Sequence, residues 1–322
     1  MRLGWKIAVV AVLAACVVGA VIALRPSPSS SSRRCVYTED GIAGLKDFGR
    51  TVNDPDISCA EMFNESATTW EQWSHPFSST TAQANMNWPA WVRAAPNRQL
   101  IVSQSLFPAA AQHQNWLALG SRGAYAPYAA ALARNLVSVG LGHAIIRLAP
   151  EANGTWETYS LPTDPEGLAQ WREFWRRTVE AMRSVPGAHF VFDWTVNALV
   201  RPVSLSSFYP GDDVVNVIGI DAYDPVTIPG GWTHLANGLD GVRAVARFAR
   251  AHGKRLSVPE WGVVPNSPEV GEAYLRGLAA ILRHTPTAYE CYFFAHQFES
   301  ALTTDTPLKS LFEKGFSRGS NK

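Results

Sequence analysis

Two glutamates stand out by their surroundings. Glu151 follows the apolar run HAIIRLAP and precedes ANGTW, while Glu260 ends RLSVPE and precedes WG. Each sits where a short apolar segment gives way to a loop. Glu151 is hemmed in by Pro150, Asn153, Gly154 and Trp156, and Glu260 lies between Pro259 and Trp261. Hydrolysis of a glycosidic bond requires two such carboxyl groups, one to protonate the departing oxygen and one to attack the anomeric carbon or activate water. Taken singly, each also fits a surface glutamate after a strand, which is commonplace. The pair acquires meaning only if the fold brings both to one place.

The elements that must do so alternate. Apolar runs recur along the chain as DISCAEMF, QLIVSQSLF, HAIIRLAP, AHFVFDW, VVNVIGIDAY, RLSVPEWG and AYECYFFAH, with a further strand expected near Gly41–Phe48. Amphipathic stretches lie between them, among them Tyr125–Val139, Leu168–Arg183, Leu239–His252 and Val270–Arg283. Continuous apolar strands alternating with helices mean a parallel sheet. The rival is a doubly wound open sheet, but no GxGxxG follows the first strand and polar residues gather at the C-terminal ends of at least four strands. The expected fold is therefore α/β, a single (β/α)8 TIM barrel over residues 35–322. Its strand ends converge on one mouth, where the chemistry of such barrels sits.

Composition narrows the function classes. Of 322 residues only 17% are charged, and Lys+Arg 28 against Asp+Glu 27 leaves a net charge of +1, no basis for a nucleic-acid partner. The 12 Trp fit sugar binding, because indole faces stack on pyranose C–H faces, although large cores also consume Trp. Residues 1–34 read as an export segment: Arg2 and Lys6, an uncharged run from Ile7 to Leu24, then a Ser/Pro linker. A cleaved signal ending near Ala23, an uncleaved anchor and a lipoprotein signal at Cys16 all fit, and all place the remainder outside the cytoplasm. That compartment would permit Cys35 and Cys59 to pair, while Cys291 in YECYFF reads as a buried thiol. Without CxxC, HExxH or a Cys/His cluster, neither a metal nor another cofactor is indicated.

Four segments together resemble glycoside hydrolase family 26, the family of β-mannanases. RLAPEANGTW is similar to its fourth-strand motif R-x-x-H-E-x-N-G-x-W, HFVFDWTVN to its fifth strand, FYPGDDVVNVIGIDAYD to its sixth and LSVPEWGV to its seventh. The matches run in order from about Leu100 to Phe312. The resemblance implies a retaining hydrolase with Glu151 as general acid/base and Glu260 as nucleophile. It also implies that Arg147 holds Glu260 ionised, that Tyr223 donates a hydrogen bond to it, and that Asn153 and Trp156 line the cleft. By location alone, Trp194, Asn197, Asp221, Trp261 and His296 are candidates for sugar contacts; each has a plain structural alternative as a packing or capping residue.

One position departs from the pattern. The family usually has His before the acid/base, where it helps to bind sugar; this chain has Pro150, which offers no side-chain donor. The carboxylate pair is untouched by that change, but the mannoside preference does not carry over with it. Two functions remain. One is a secreted or surface-anchored glycosidase acting on a β-linked polysaccharide, mannan or a cell-envelope glycan. The other is a carbohydrate-binding barrel without hydrolysis, which would have no need of both glutamates. The expected partner is a poly- or oligosaccharide, with membrane contact only through the N-terminal segment and the chain working as a monomer.

Overall fold

The computed structural model describes residues 33–54, 57–78, 87–112, 115–265, 268–303 and 307–316. The segment expected to direct export and most of its linker lie outside the described residues. Eight parallel strands close into a barrel in sequence order: β1 (Arg33–Thr38), β2 (Cys59–Phe63), β3 (Gln99–Gln104), β4 (Ile145–Leu148), β5 (Val191–Asn197), β6 (Val217–Asp221), β7 (Arg255–Trp261) and β8 (Thr287–Phe294). The ring closes through β1 on β8, from Arg33 opposite Tyr289 to Thr38 opposite Phe294.

Two corrections fall at the start. The segment expected as a strand near Gly41–Phe48 is a helix, Gly41–Thr51, which buries Leu45 and Phe48 and carries Ile42 on the same spacing. Those apolar residues recur every three positions, the period of a helix and not of a strand. The first strand is instead RRCVYT. Its two leading arginines belong to the barrel rather than to the linker, and Arg34 is buried between Asp54 and Glu290.

Alternation along the strands divides the protein into two cores. Outward residues pack against the helices in one large cluster that includes Val102, Ile146, Phe192, Trp194, Val258 and Trp261. Inward residues at the barrel floor form a second cluster of Cys35, Cys59, Ile101, Ile145, Tyr289 and Cys291. Cys35 and Cys59 are joined in a disulfide across a sequence separation of 24, tying β1 to β2. Closing a loop of that length stabilises by about 3.5 kcal/mol in the chain-entropy description. Above this layer the interior turns polar. Asp193 accepts hydrogen bonds from Thr195 (2.9 Å), Ser257 (2.5 Å) and Tyr289 (2.7 Å). Gly219 is required there, since a Cβ would come within 2.4 Å of Thr195 Oγ1 and 2.8 Å of Asp193 Oδ1.

Candidate active site

Strand β4 supplies Arg147 on its inner face and Glu151 just beyond its end. The turn between them is tight: Ala149 and Glu151 both have positive φ (51° and 53°), a conformation that costs an L-residue roughly 1–2 kcal/mol. Backbone bonds hold it, Ala149 N–H donating to Gln104 O (2.7 Å) and Glu151 N–H to Thr195 O (3.1 Å). The following residues each have a task. Asn153 is buried and donates to the carbonyls of Asn197 (2.9 Å) and Val200 (2.7 Å), bracing the loop against the end of β5. Gly154 leaves room for the Trp156 ring, which lies 2.4 Å from where a Cβ would stand. Trp156, 54% exposed, donates from Nε1 to Glu151 Oε2 (2.9 Å), and Asn197 Nδ2 donates to Glu151 Oε1 (2.6 Å).

Glu260 reaches the same mouth through an irregularity in β7. Val258 pairs with Glu290, but the next pair is Trp261 with Tyr292, so three steps on β7 face two on β8. Pro259 lies inside this bulge, where it has no N–H to donate to the ladder. The extra residue inverts the alternation. Ser257 points inward and Val258 outward; regular pleating would then turn Glu260 outward and Trp261 inward, whereas the bulge does the reverse.

Once inside, Glu260 is held on every side. Arg147 Nη1 donates to its Oε1, and Tyr223 OH donates to its Oε2 at 2.6 Å. Its own N–H donates to Asp221 Oδ1 (3.0 Å), whose other oxygen pairs with Arg147 Nη2. Arg147 is wholly buried and also reaches Glu61 Oε1 (3.1 Å) and Ser103 Oγ (3.1 Å). One guanidinium thus serves three carboxyl groups. Burial pushes Glu61 up to about 7, opposed by Arg147 and reinforced by Glu260. Burial first, then the charge of Glu260, raises Glu151 above the usual carboxyl range, with Asn197 opposing. A carboxyl group raised by burial beside one that receives a guanidinium and a phenol is the contrast an acid and a nucleophile need.

Of the residues singled out in the sequence, Glu151, Glu260, Arg147, Asn153, Trp156, Asn197, Asp221 and Tyr223 come together here. Asp221 is sealed behind Glu260 and positions it rather than meeting solvent. Trp194 and Trp261 do not face the mouth. They are 1% and 0% exposed on the outer side of the wall, Trp194 against Phe208 and Tyr209, Trp261 against Phe312 and Phe316. Neither is available to a sugar. His296 sits beyond the end of β8, largely exposed, with Nε2 2.9 Å from Glu39.

The sequence reading missed part of the mouth. Glu65, just past β2, is pushed up to about 8 by burial, Arg147 opposing and Glu260 reinforcing. Glu157 is raised for the same leading reason. Tyr37, Phe63 and Phe293 stack at centroid distances of 4.1 and 4.6 Å, and Phe293 and Phe298 flank the Tyr223 ring. Glu61 did carry a signal, a lone charge within the apolar run CAEMF. The half-buried aromatics carried none, because residues at the ends of β1, β2 and β8 lie far apart in sequence.

The family model of "Glycosyl hydrolase family 26" matches residues 128–260. Among solved structures, GH26C from Muricauda sp. MAR_2010_75 superposes with a TM-score of 0.67 at 15% identity over 91% of this chain and 87% of that one. The catalytic domain of the Bacillus sp. JAMB-750 GH26 endo-β-1,4-mannanase gives 0.62 at 17% identity, covering 88% and 85%. A modular endo-β-1,4-mannanase from Cellulomonas fimi gives 0.61 at 17% identity, covering 89% and 74%. At these identities the structures speak for the barrel; the family model spans the stretch that contains both glutamates. Together they show a glycosidase that resembles glycoside hydrolase family 26.

Proposed function

We propose that this chain is a retaining glycosidase of a β-linked polysaccharide, with Glu260 as nucleophile and Glu151 as acid/base. The carrying observation is the contrast between the two glutamates at one mouth. Glu260 receives Arg147 and Tyr223 and can attack the anomeric carbon as a carboxylate. Glu151 is raised by burial and by the charge of Glu260, and can give its proton to the departing oxygen. In the second step Glu151, now ionised, takes a proton from water as that water attacks C1 and releases Glu260. Trp156, exposed and tied to Glu151, is placed to cover the sugar on the leaving-group side.

β-Mannan is the first substrate to try, on the strength of the mannanase neighbours; Pro150 in place of His argues for including cell-envelope glycans in the panel. We also place the protein outside the cytoplasm, a reading supported by the Cys35–Cys59 disulfide and the apolar run Ile7–Leu24.

The test is leaving-group dependence. Glu151→Ala should lose about 10²–10⁴-fold on polysaccharide but little in the first step on a dinitrophenyl glycoside. Azide should then restore turnover with retained anomeric configuration. Inversion by the wild type would end the retaining mechanism. Normal polysaccharide hydrolysis by Glu151→Ala would end the assignment of the acid, and sugar binding with no turnover on any substrate would leave a binding barrel.

A further inference from the structure

Outside the barrel, the helices Val242–Ala251 and Pro268–His284 flank a surface groove of about 330 Å³. Arg243, Arg247, Arg250 and His284 line it together with Ala246, Ala280, Ile281 and Thr285, and no carboxylate is among them. All three arginines are exposed, and among the described residues none has an ion-pair partner. Arg177 and Arg276, on other faces, do pair, with Glu173 and Glu272; the groove differs in bringing three arginines onto one helix face with no carboxylate in its lining.

We propose that this groove binds an anionic polysaccharide strand, bearing carboxylate or phosphate groups, and docks the enzyme on a charged matrix that is not its substrate. The spacing fits a polymer. Positions 243, 247 and 250 share one helix face with axial steps of about 6 and 4.5 Å, comparable with the length of one sugar unit. Guanidinium groups bind carboxylate and phosphate in the same bidentate manner, and Ala246, Ala280 and Ile281 provide a low floor for a sugar face. A bilayer is a poorer occupant, since the apolar lining residues Ala246, Ala280 and Ile281 are small or buried and offer nothing to insert into it. Nucleic acid is poorer too, since no lining residue is aromatic and able to stack a base.

The catalytic mouth has no such row of exposed cations: its Arg147 is wholly buried and already meets Glu61, Asp221 and Glu260. A polyanion is therefore offered the groove and not the mouth.

Affinity electrophoresis of the full-length chain tests this, in gels containing polygalacturonate, polyphosphate, neutral galactomannan or dextran as reference. Polygalacturonate should retard the wild type at low salt and not in 0.5 M NaCl. The triple variant Arg243→Gln/Arg247→Gln/Arg250→Gln should lose at least about ten-fold in apparent affinity with an unchanged thermal midpoint. Additional retardation by polyphosphate would mean that charge alone is read; its absence would mean that the sugar backbone contributes. Four results would overturn the proposal: no retardation by polygalacturonate, equal retardation of the triple variant, retardation by polyphosphate alone, or arginine-dependent capture by phosphatidylglycerol vesicles without retention by polygalacturonate.

Discussion

Glu260 and Glu290 are built from the same parts on opposite sides of one wall. Each is a glutamate facing an arginine and an aromatic donor: Arg147 and Tyr223 for Glu260, Arg34 (3.5 Å) and Trp261 Nε1 (2.7 Å) for Glu290. The donor to Glu290 even adjoins the other glutamate, since Trp261 follows Glu260. Yet the Glu260 side chain is 13% exposed at the mouth, whereas Glu290 is 4% exposed in the layer beneath the helices. Residue type and local partners are therefore insufficient to mark a working carboxylate. The side of the sheet decides, and in β7 that side is set by the bulge at Pro259.

Substituting the two in parallel should separate chemistry from stability. Glu260→Ala should cut turnover by at least about 10⁴-fold, the scale of losing a nucleophile, while leaving the thermal midpoint close to that of the wild type. Glu290→Ala should do the reverse. Removing Glu290 leaves the buried Arg34 and the Trp261 N–H without this acceptor, a loss of about 1–3 kcal/mol or more for the charged donor, read by denaturant unfolding, with turnover per folded molecule unchanged. Comparable turnover losses in both would mean that Glu290 reaches the chemistry through the wall. A strongly destabilised Glu260→Ala would mean that the mouth cluster is a structural ion pair.

A smaller effect is expected from the donor. Tyr223 stays protonated, because burial and the neighbouring Glu260 hold its phenol far above the ordinary value. Tyr223→Phe removes a hydrogen bond to a charged acceptor, about 1.5–3 kcal/mol. It should lower kcat about 10–100-fold with little change in KM for polysaccharide. A drop confined to KM would make Tyr223 a sugar contact instead of a positioning residue.

The same comparison explains what could be read in the sequence. The barrel was legible because seven apolar runs, separated by helical patterns, leave few alternatives, and the two glutamates were legible because motifs surround them. β1 was not, since its leading arginines look like linker until Arg34 is seen to meet Asp54 and Glu290. Trp194 and Trp261 were misplaced for a physical reason. A tryptophan next to a functional residue on a strand points the other way, and only the bulge, which depends on pairing with β8, shows which of Glu260 and Trp261 faces in. Glu65 and the Tyr37–Phe63–Phe293 stack depend on contacts between strands at opposite ends of the chain, which one sequence does not spell out.

A last effect concerns pH, and it sets the two sides of the wall against each other once more. Burial is the leading cause that raises several carboxyl groups from about 4.5, among them Glu61 to about 7 and Glu65 to about 8 at the mouth, and Glu290 to about 7 behind β8. A raised folded value means that the native state holds protons the unfolded chain has already released. Stability from these groups is complete below about pH 4.5 and is lost as pH rises through 7 and 8, with a slope of about 1.4 kcal/mol per pH unit for each group within its window. The thermal midpoint should therefore fall steadily between pH 5 and pH 8.5. Glu290→Gln should remove one group's share of the slope between pH 5 and 7, and Glu65→Gln should flatten the part between 7 and 8. A midpoint that rises across this range, or a slope indifferent to both variants, would show that these carboxyl groups are ionised in the folded protein, with Arg34 and Arg147 outweighing burial.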